Sequence, residues 1–230
     1  MIGLISGDII ASPFNKVPTE DYNSIFFPIF SSVERISVDK EKLRVSSLSY
    51  KPSMTLPSRL ALAAADWYMN TDLRNGVDFP EYMEKMGVTN SVPTNVLLAV
   101  CGPLVELSRS ESEARMIVGN LFNTLKGQGD SAVVADVLTE YMWMLKEGKR
   151  PTAEQTRAFL AERGIPVVSS PSEMRGVMDG VVKYNSETGK YDLGDGKRPT
   201  DPAIYVSAAI LALSSGSNWE ECVRRSVAMG

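Results

Sequence analysis

The chain has 230 residues, 24 Lys and Arg against 28 Asp and Glu, two cysteines and no histidine. That length, with 43% apolar residues, suits a globular protein with a substantial core. The missing imidazole excludes Ser-His-Asp and Cys-His relays and His-bearing zinc sites, and a net charge of -4 excludes a broad footprint on a phosphate backbone.

In chain order, residues 2–14 read as an apolar helix in which Gly3 and Gly7 allow close approach and the lone Asp8 needs a buried partner. Alternation over 35–38 and 43–46, around the polar stretch 39–42, predicts a β-hairpin. Helical spacing predicts helices over 60–69 with Ser58 as cap, 92–107 with Thr94 or Asn95 as cap, 111–125, and 131–145 opening beside Asp130. Thr152 and Gln155 form a capping-box pattern for a helix over 152–163 that stops at Gly164. A second hairpin is expected from 181–184 and 190–193, followed by helices over 201–213 and 218–229. No linker, low-complexity tract or internal repeat divides the sequence, so one domain over 1–230 is expected.

Several features have an ordinary structural reading. Cys101 and Cys222 lie in apolar stretches and read as two buried thiols in a reducing, cytoplasmic compartment; nothing at the N-terminus reads as a signal peptide, and no apolar run reaches a membrane span. Lys146 to Arg150 and Arg224-Arg225 read as cationic helix ends. Asp192, Asp195 and Asp201 lack the spacing of a calcium loop and read as a solvated turn. Asp130 after Gly127-Gln128-Gly129 reads as a helix cap rather than part of a phosphate site. Trp67, Trp143 and Trp219 are expected in the core, with Met142 and Met144 as gap-fillers.

Gly7-Asp8-Ile9-Ile10-Ala11-Ser12-Pro13 resembles the Gly-Asp-x-x-Gly-Ser signature that opens the ADP-ribosylglycohydrolases. Four further places follow in the family's order. Residues 55–67, ending Ala65-Asp66-Trp67, are similar to the segment that begins Thr-Asp-Asp-Thr; 95–103 stand where the family has Asn-Gly-Ser-Ala-Met-Arg-x-x-Pro; 135–149 resemble the helix ending Gly-Lys-Ser; and 208–213 with 218–230 resemble the two helices before the last metal motif. The resemblance implies an all-α fold, a compact orthogonal helical bundle of the ADP-ribosylglycohydrolase type, carrying one or two small β-hairpin insertions.

The family's active site holds two Mg²⁺ ions on carboxylate and hydroxyl oxygens. Where its two adjacent acids stand, this chain has Leu56 and Pro57; where a further acid is expected, it has Asn15. Only Asn95 and Pro103 persist from the Asn-Gly-Ser-Ala-Met-Arg segment, Lys126 and Gln128 replace the histidines of Thr-His-x-His-Pro-Glu, and the last metal motif would begin at or after Gly230. The resemblance therefore implies a catalytically inactive relative with no catalytic residue, no metal ligand and no cofactor. It implies a remnant cleft, with Asp8, Ser12, Asn15, Thr55, Ser58 and Asn95 as candidates to hold ADP-ribose or a related nucleotide. One alternative is a protein-protein interaction module or antagonist, such as a viral antagonist of a host factor, working through the hairpins. The other is residual ADP-ribosyl hydrolysis through Asp8 or Asp66. Nucleic acid and membrane are not expected partners.

Overall fold

The structure, a computed structural model, describes residues 55–72, 76–89, 91–127, 129–168, 170–185, 188–215 and 222. Over these the protein is mostly helical with one two-stranded hairpin, as the all-α expectation with a small insertion requires. The expected hairpin over 35–46, the opening helix and Trp219 lie outside the described residues, as does the helix over 218–229 apart from Cys222.

The first helix, α1 (Leu56–Asn70), starts four residues earlier than the apolar spacing suggested. Thr55 is the N-cap position and Pro57 sits in the first turn, where its missing N–H costs nothing. Ser58 is therefore not the cap but an interior residue of the first turn, 0% exposed. A short helix α2 (Phe79–Lys85), absent from the sequence reading, folds back on α1. Trp67 meets Phe79 edge to face with ring centroids 5.5 Å apart, and its indole N–H donates to Asp78 Oδ1 at 2.8 Å. Two fully buried aromatic side chains of this size contribute about 3–6 kcal/mol of apolar burial.

The expected helix over 92–107 is broken into α3 (Thr94–Leu97), a 3₁₀ turn (Leu98–Val100) and α4 (Cys101–Leu107), and the position before the first helical residue is Pro93, not Thr94 or Asn95. Pro103 accounts for the break: it has no N–H for the carbonyl four residues back, and its ring crowds that turn. Helices α5 (Glu111–Lys126) and α6 (Asp130–Lys146) then form an antiparallel pair, the most extensive helix contact among the described elements. Ser110 caps α5 by accepting from the Glu113 amide at 3.2 Å. The cap position of α6 is Gly129, so Asp130 is its first residue, favourably placed against the helix dipole rather than capping it.

Next comes α7 (Ala153–Glu162), opened by the Thr152/Gln155 capping box with both reciprocal bonds formed. Arg115 on α5 forks onto Asp136 of α6 at 2.7 and 2.6 Å, and Arg163 after α7 pairs with Glu140 on the next turn of α6. The carboxylate of Asp136 holds the Arg115 guanidinium protonated beyond its already high ordinary range. Inside, Tyr141 stacks edge-on to Phe159 at 5.3 Å and shares a buried hydrogen bond of 3.2 Å with Thr156.

The last described elements are α8 (Pro171–Met178), the strands β1 (Val182–Asn185) and β2 (Lys190–Leu193), and α9 (Pro202–Ser215). The strands pair antiparallel with Tyr184 opposite Tyr191. Three glycines make the hairpin's docking possible. Gly180 has φ +71°, and a Cβ there would lie 2.7 Å from the Gly196 carbonyl carbon; Gly196 in turn donates to Gly180 O at 3.0 Å. Gly194 donates to Val181 O at 2.9 Å, so backbone packs directly on backbone.

Helix α9 separates two apolar clusters. Ala203, Val206 and Ile210 face the main core with Trp67, Phe122 and Tyr141, while Ile204, Ala208 and Ala212 face a smaller cluster of Val168, Met174, Val177 and Met178 that the hairpin covers. A helix enclosed on both sides needs no polar face, and α9 has none. Met142 and Met144 are half-buried against the main core. Among the described residues no helix is long and apolar enough to cross a membrane.

Candidate functional site

Of the residues expected to line a cleft, Thr55 and Ser58 stand where α1 begins. Thr55 is extended and half-buried, and its carbonyl accepts from the Arg59 amide at 3.2 Å. Leu56 and Pro57 occupy the first two helical positions. Neither side chain carries an oxygen that could ligate a hard divalent ion such as the family's Mg²⁺. Ser58 projects its hydroxyl into the interior, where it has no hydrogen-bond partner among the described residues.

Helix α3 packs against α1, and Asn95 is half-buried at the second position of α3. The start of α3 is tied in turn to the connection between α5 and α6. Thr94 Oγ1 lies 3.2 Å from Ser131 Oγ, and Lys126 Nζ donates to the Val92 carbonyl. Two segments singled out from the sequence, the start of α3 and the connection between α5 and α6, thus meet, and α3 also packs on α1, the helix that Thr55 to Ser58 open. Asp8, Ser12 and Asn15 lie outside the described residues.

Other candidates resolve into structural roles. Asp66 Oδ1 accepts from Asn70 Nδ2 at 2.8 Å, an exposed intrahelical pair. Asp78 was not anticipated: burial opposes its ionisation, but hydrogen bonds from Trp67 and Thr71 outweigh that and hold the carboxyl below its usual range. Its sequence signal was its place immediately before Phe79-Pro80, a helix start marked by proline. Cys101 is fully buried, and burial pushes its thiol up to about 12, which leaves it inert as a nucleophile. Cys222 is only half-buried, which corrects the expectation of two buried thiols. Lys146, read as one of several cations at a helix end, has a more specific task. Its ammonium donates to the carbonyls of Val105, Glu106 and Ser108 at 2.8, 2.9 and 2.9 Å and so closes the C-terminus of α4 from the end of α6.

Of the acidic turn, Asp192 accepts from Asn185 and Asp201 Oδ1 accepts from the Ala203 amide at 2.9 Å, as a solvated turn would. No group of three metal-binding side chains occurs among the described residues. No family model, curated protein or solved structure matches the chain.

Proposed function

We propose that the chain is an ADP-ribosylglycohydrolase-like pseudoenzyme that binds ADP-ribose or a related nucleotide without hydrolysing it and without a resident metal. The observation that supports this reading is that α3, which opens the matched segment 95–103, packs on α1, which carries the matched segment 55–67, and is tied by Thr94 and Lys126 to the connection between α5 and α6. Around the start of α3 the chain has the hydroxyls of Thr94 and Ser131, the amide of Asn95 and the ammonium of Lys126, the chemistry for hydrogen-bonding ribose and diphosphate oxygens. It offers Leu56 and Pro57 where a divalent ion would need acids.

Calorimetric titration with ADP-ribose and NAD tests binding, and release of ADP-ribose from a modified protein in the presence of Mg²⁺ tests hydrolysis. Saturable heat with no release is the expected result. Heat with neither nucleotide would remove the ligand role, and Mg²⁺-dependent release abolished by Asp8→Asn in a folded variant would overturn the assignment as inactive.

A second reading, a protein-protein interaction module, is favoured by one observation. Val181 and Leu193, two large apolar side chains at the base of the hairpin, are 60% and 90% exposed.

A further inference from the structure

Between the hairpin, the end of α8 and the start of α9 lies a cleft of about 250 Å³. Its lining includes the apolar side chains of Val177 and Ile204, each 2% exposed. Lys197 and Arg198, on the strap that joins β2 to α9, and Lys183 of β1 also line it. Asp195 and Asp201 line it as well, so its charged side chains sum to one net positive charge on a chain whose net charge is -4.

The acids beside them are already committed. Asp195 Oδ1 accepts from the Lys197 amide at 3.1 Å and its Oδ2 stands 3.9 Å from Lys197 Nζ, while Asp201 holds the first turn of α9. Arg198 and Lys183 form no ion pair among the described residues. The strap is held at both ends, by Gly196 N–H on Gly180 O at 3.0 Å and by the Tyr205 hydroxyl on Pro199 O at 2.9 Å. A site fastened in this way loses little conformational freedom when it is occupied.

We propose that this cleft binds a small organic anion, a phosphate or carboxylate on a compact apolar body. Arg198, whose planar guanidinium matches either oxyanion, and Lys197 meet the charged group; Val177 and Ile204 meet the body. The volume falls just below the range of about 300–1,000 Å³ typical for drug-sized ligands, which sets the body at about one ring. The site is built from α8, the hairpin and α9, not from the α1 and α3 segments of the nucleotide reading, and stands or falls separately from it.

Phenyl phosphate, benzoate, inorganic phosphate and benzyl alcohol, titrated into the full chain and followed by amide chemical shifts and calorimetry, test it. Phenyl phosphate or benzoate should saturate with shifts centred on residues 194–204, and whichever binds more tightly identifies the oxyanion. Arg198→Gln should weaken that binding by roughly tenfold, whereas Arg157→Gln, at an exposed cation on α7, should leave it unchanged. Three results would each overturn the proposal: no saturable binding of either aromatic anion, equal affinity in Arg198→Gln and the parent, or equal affinity for inorganic phosphate and phenyl phosphate. Benzyl alcohol binding as tightly as the anions would do the same.

Discussion

Replacing Gly194 by alanine is the sharpest test of how the hairpin is held. A Cβ on Gly194 would lie 2.6 Å from the carbonyl carbon of Gly180 and 2.9 Å from that of Val181, and closer still to the Gly180 oxygen. No side chain can rotate out of the way, because the obstacle is backbone. The strap must instead lift from Gly180 by roughly 1 Å, which carries the 2.9 Å bond from Gly194 to Val181 and the 3.0 Å bond from Gly196 to Gly180 beyond hydrogen-bond range. Two such bonds are worth about 1–3 kcal/mol. Partial uncovering of Val182, Tyr184 and Tyr191, which pack on the small cluster, brings the loss to about 2–5 kcal/mol. Gly189, at the hairpin tip, supplies the control. It has φ +65° but a Cβ there meets nothing, so Gly189→Ala should cost only about 1–2 kcal/mol, the price of a left-handed alanine. Hydrogen exchange of the 182–193 amides, together with thermal melts, reads both. Equal stability and equal exchange in the two variants would refute the claim that close backbone packing at Gly180 fixes the hairpin.

Gly119→Ala should stabilise the protein by about 0.5–1 kcal/mol in thermal or denaturant melts, since Gly119 lies inside α5 and its added methyl meets open space. Lys146→Met should cost about 1 kcal/mol in urea unfolding by leaving two carbonyls of α4 and that of Ser108 just after it to water, and Lys146→Arg should recover part of it. Alkaline pH should destabilise the fold. Burial raises Cys101 from 9.0 and Tyr191 from 10.0, each to about 12, so the unfolded chain releases these protons first; the stabilisation is complete below pH 9 and is lost as pH rises toward 12. Denaturant midpoints should fall over that window in the parent and less steeply in Cys101→Ala. For the same reason Cys101 should resist alkylation at pH 8 until the protein is unfolded.

The helices that could be read from the sequence carry their own punctuation. Thr152 and Gln155 announced α7, and the apolar period of α5 and α6 ran long enough to place both ends within a residue or two. Two short helices escaped because seven or eight residues hold too little period to register, yet Ser170-Pro171 with Glu173 is a cap, an N1 proline and a first-turn acid in sequence, and Ser170 does accept from the Glu173 amide. The break between α3 and α4 was signalled by Pro103 and overridden in the reading by a continuous apolar run. Tertiary ties were out of reach. Nothing local tells that Lys146 will reach carbonyls 38 to 41 residues away, or that Thr94 will meet Ser131. Of the six candidate cleft residues, Thr55, Ser58 and Asn95 can be placed; Ser58 and Asn95 both stand inside their helices rather than at the cap positions expected of them.

The enclosure of α9 between two apolar clusters imposes a condition on how the chain must be made. Its segment, Pro202–Ser215, contains no charged residue, and docking consumes both of its sides. It leaves the ribosome after nearly all of its partners in the main core and the small cluster, so those surfaces are already synthesised when it emerges. Until it inserts, it is an uncharged aliphatic stretch free to associate with copies of itself, guarded upstream by Lys197, Arg198 and Asp201. Any substitution that slows assembly of either cluster therefore prolongs exposure of this helix, and its first effect will be on the yield of soluble protein rather than on the stability of what has folded.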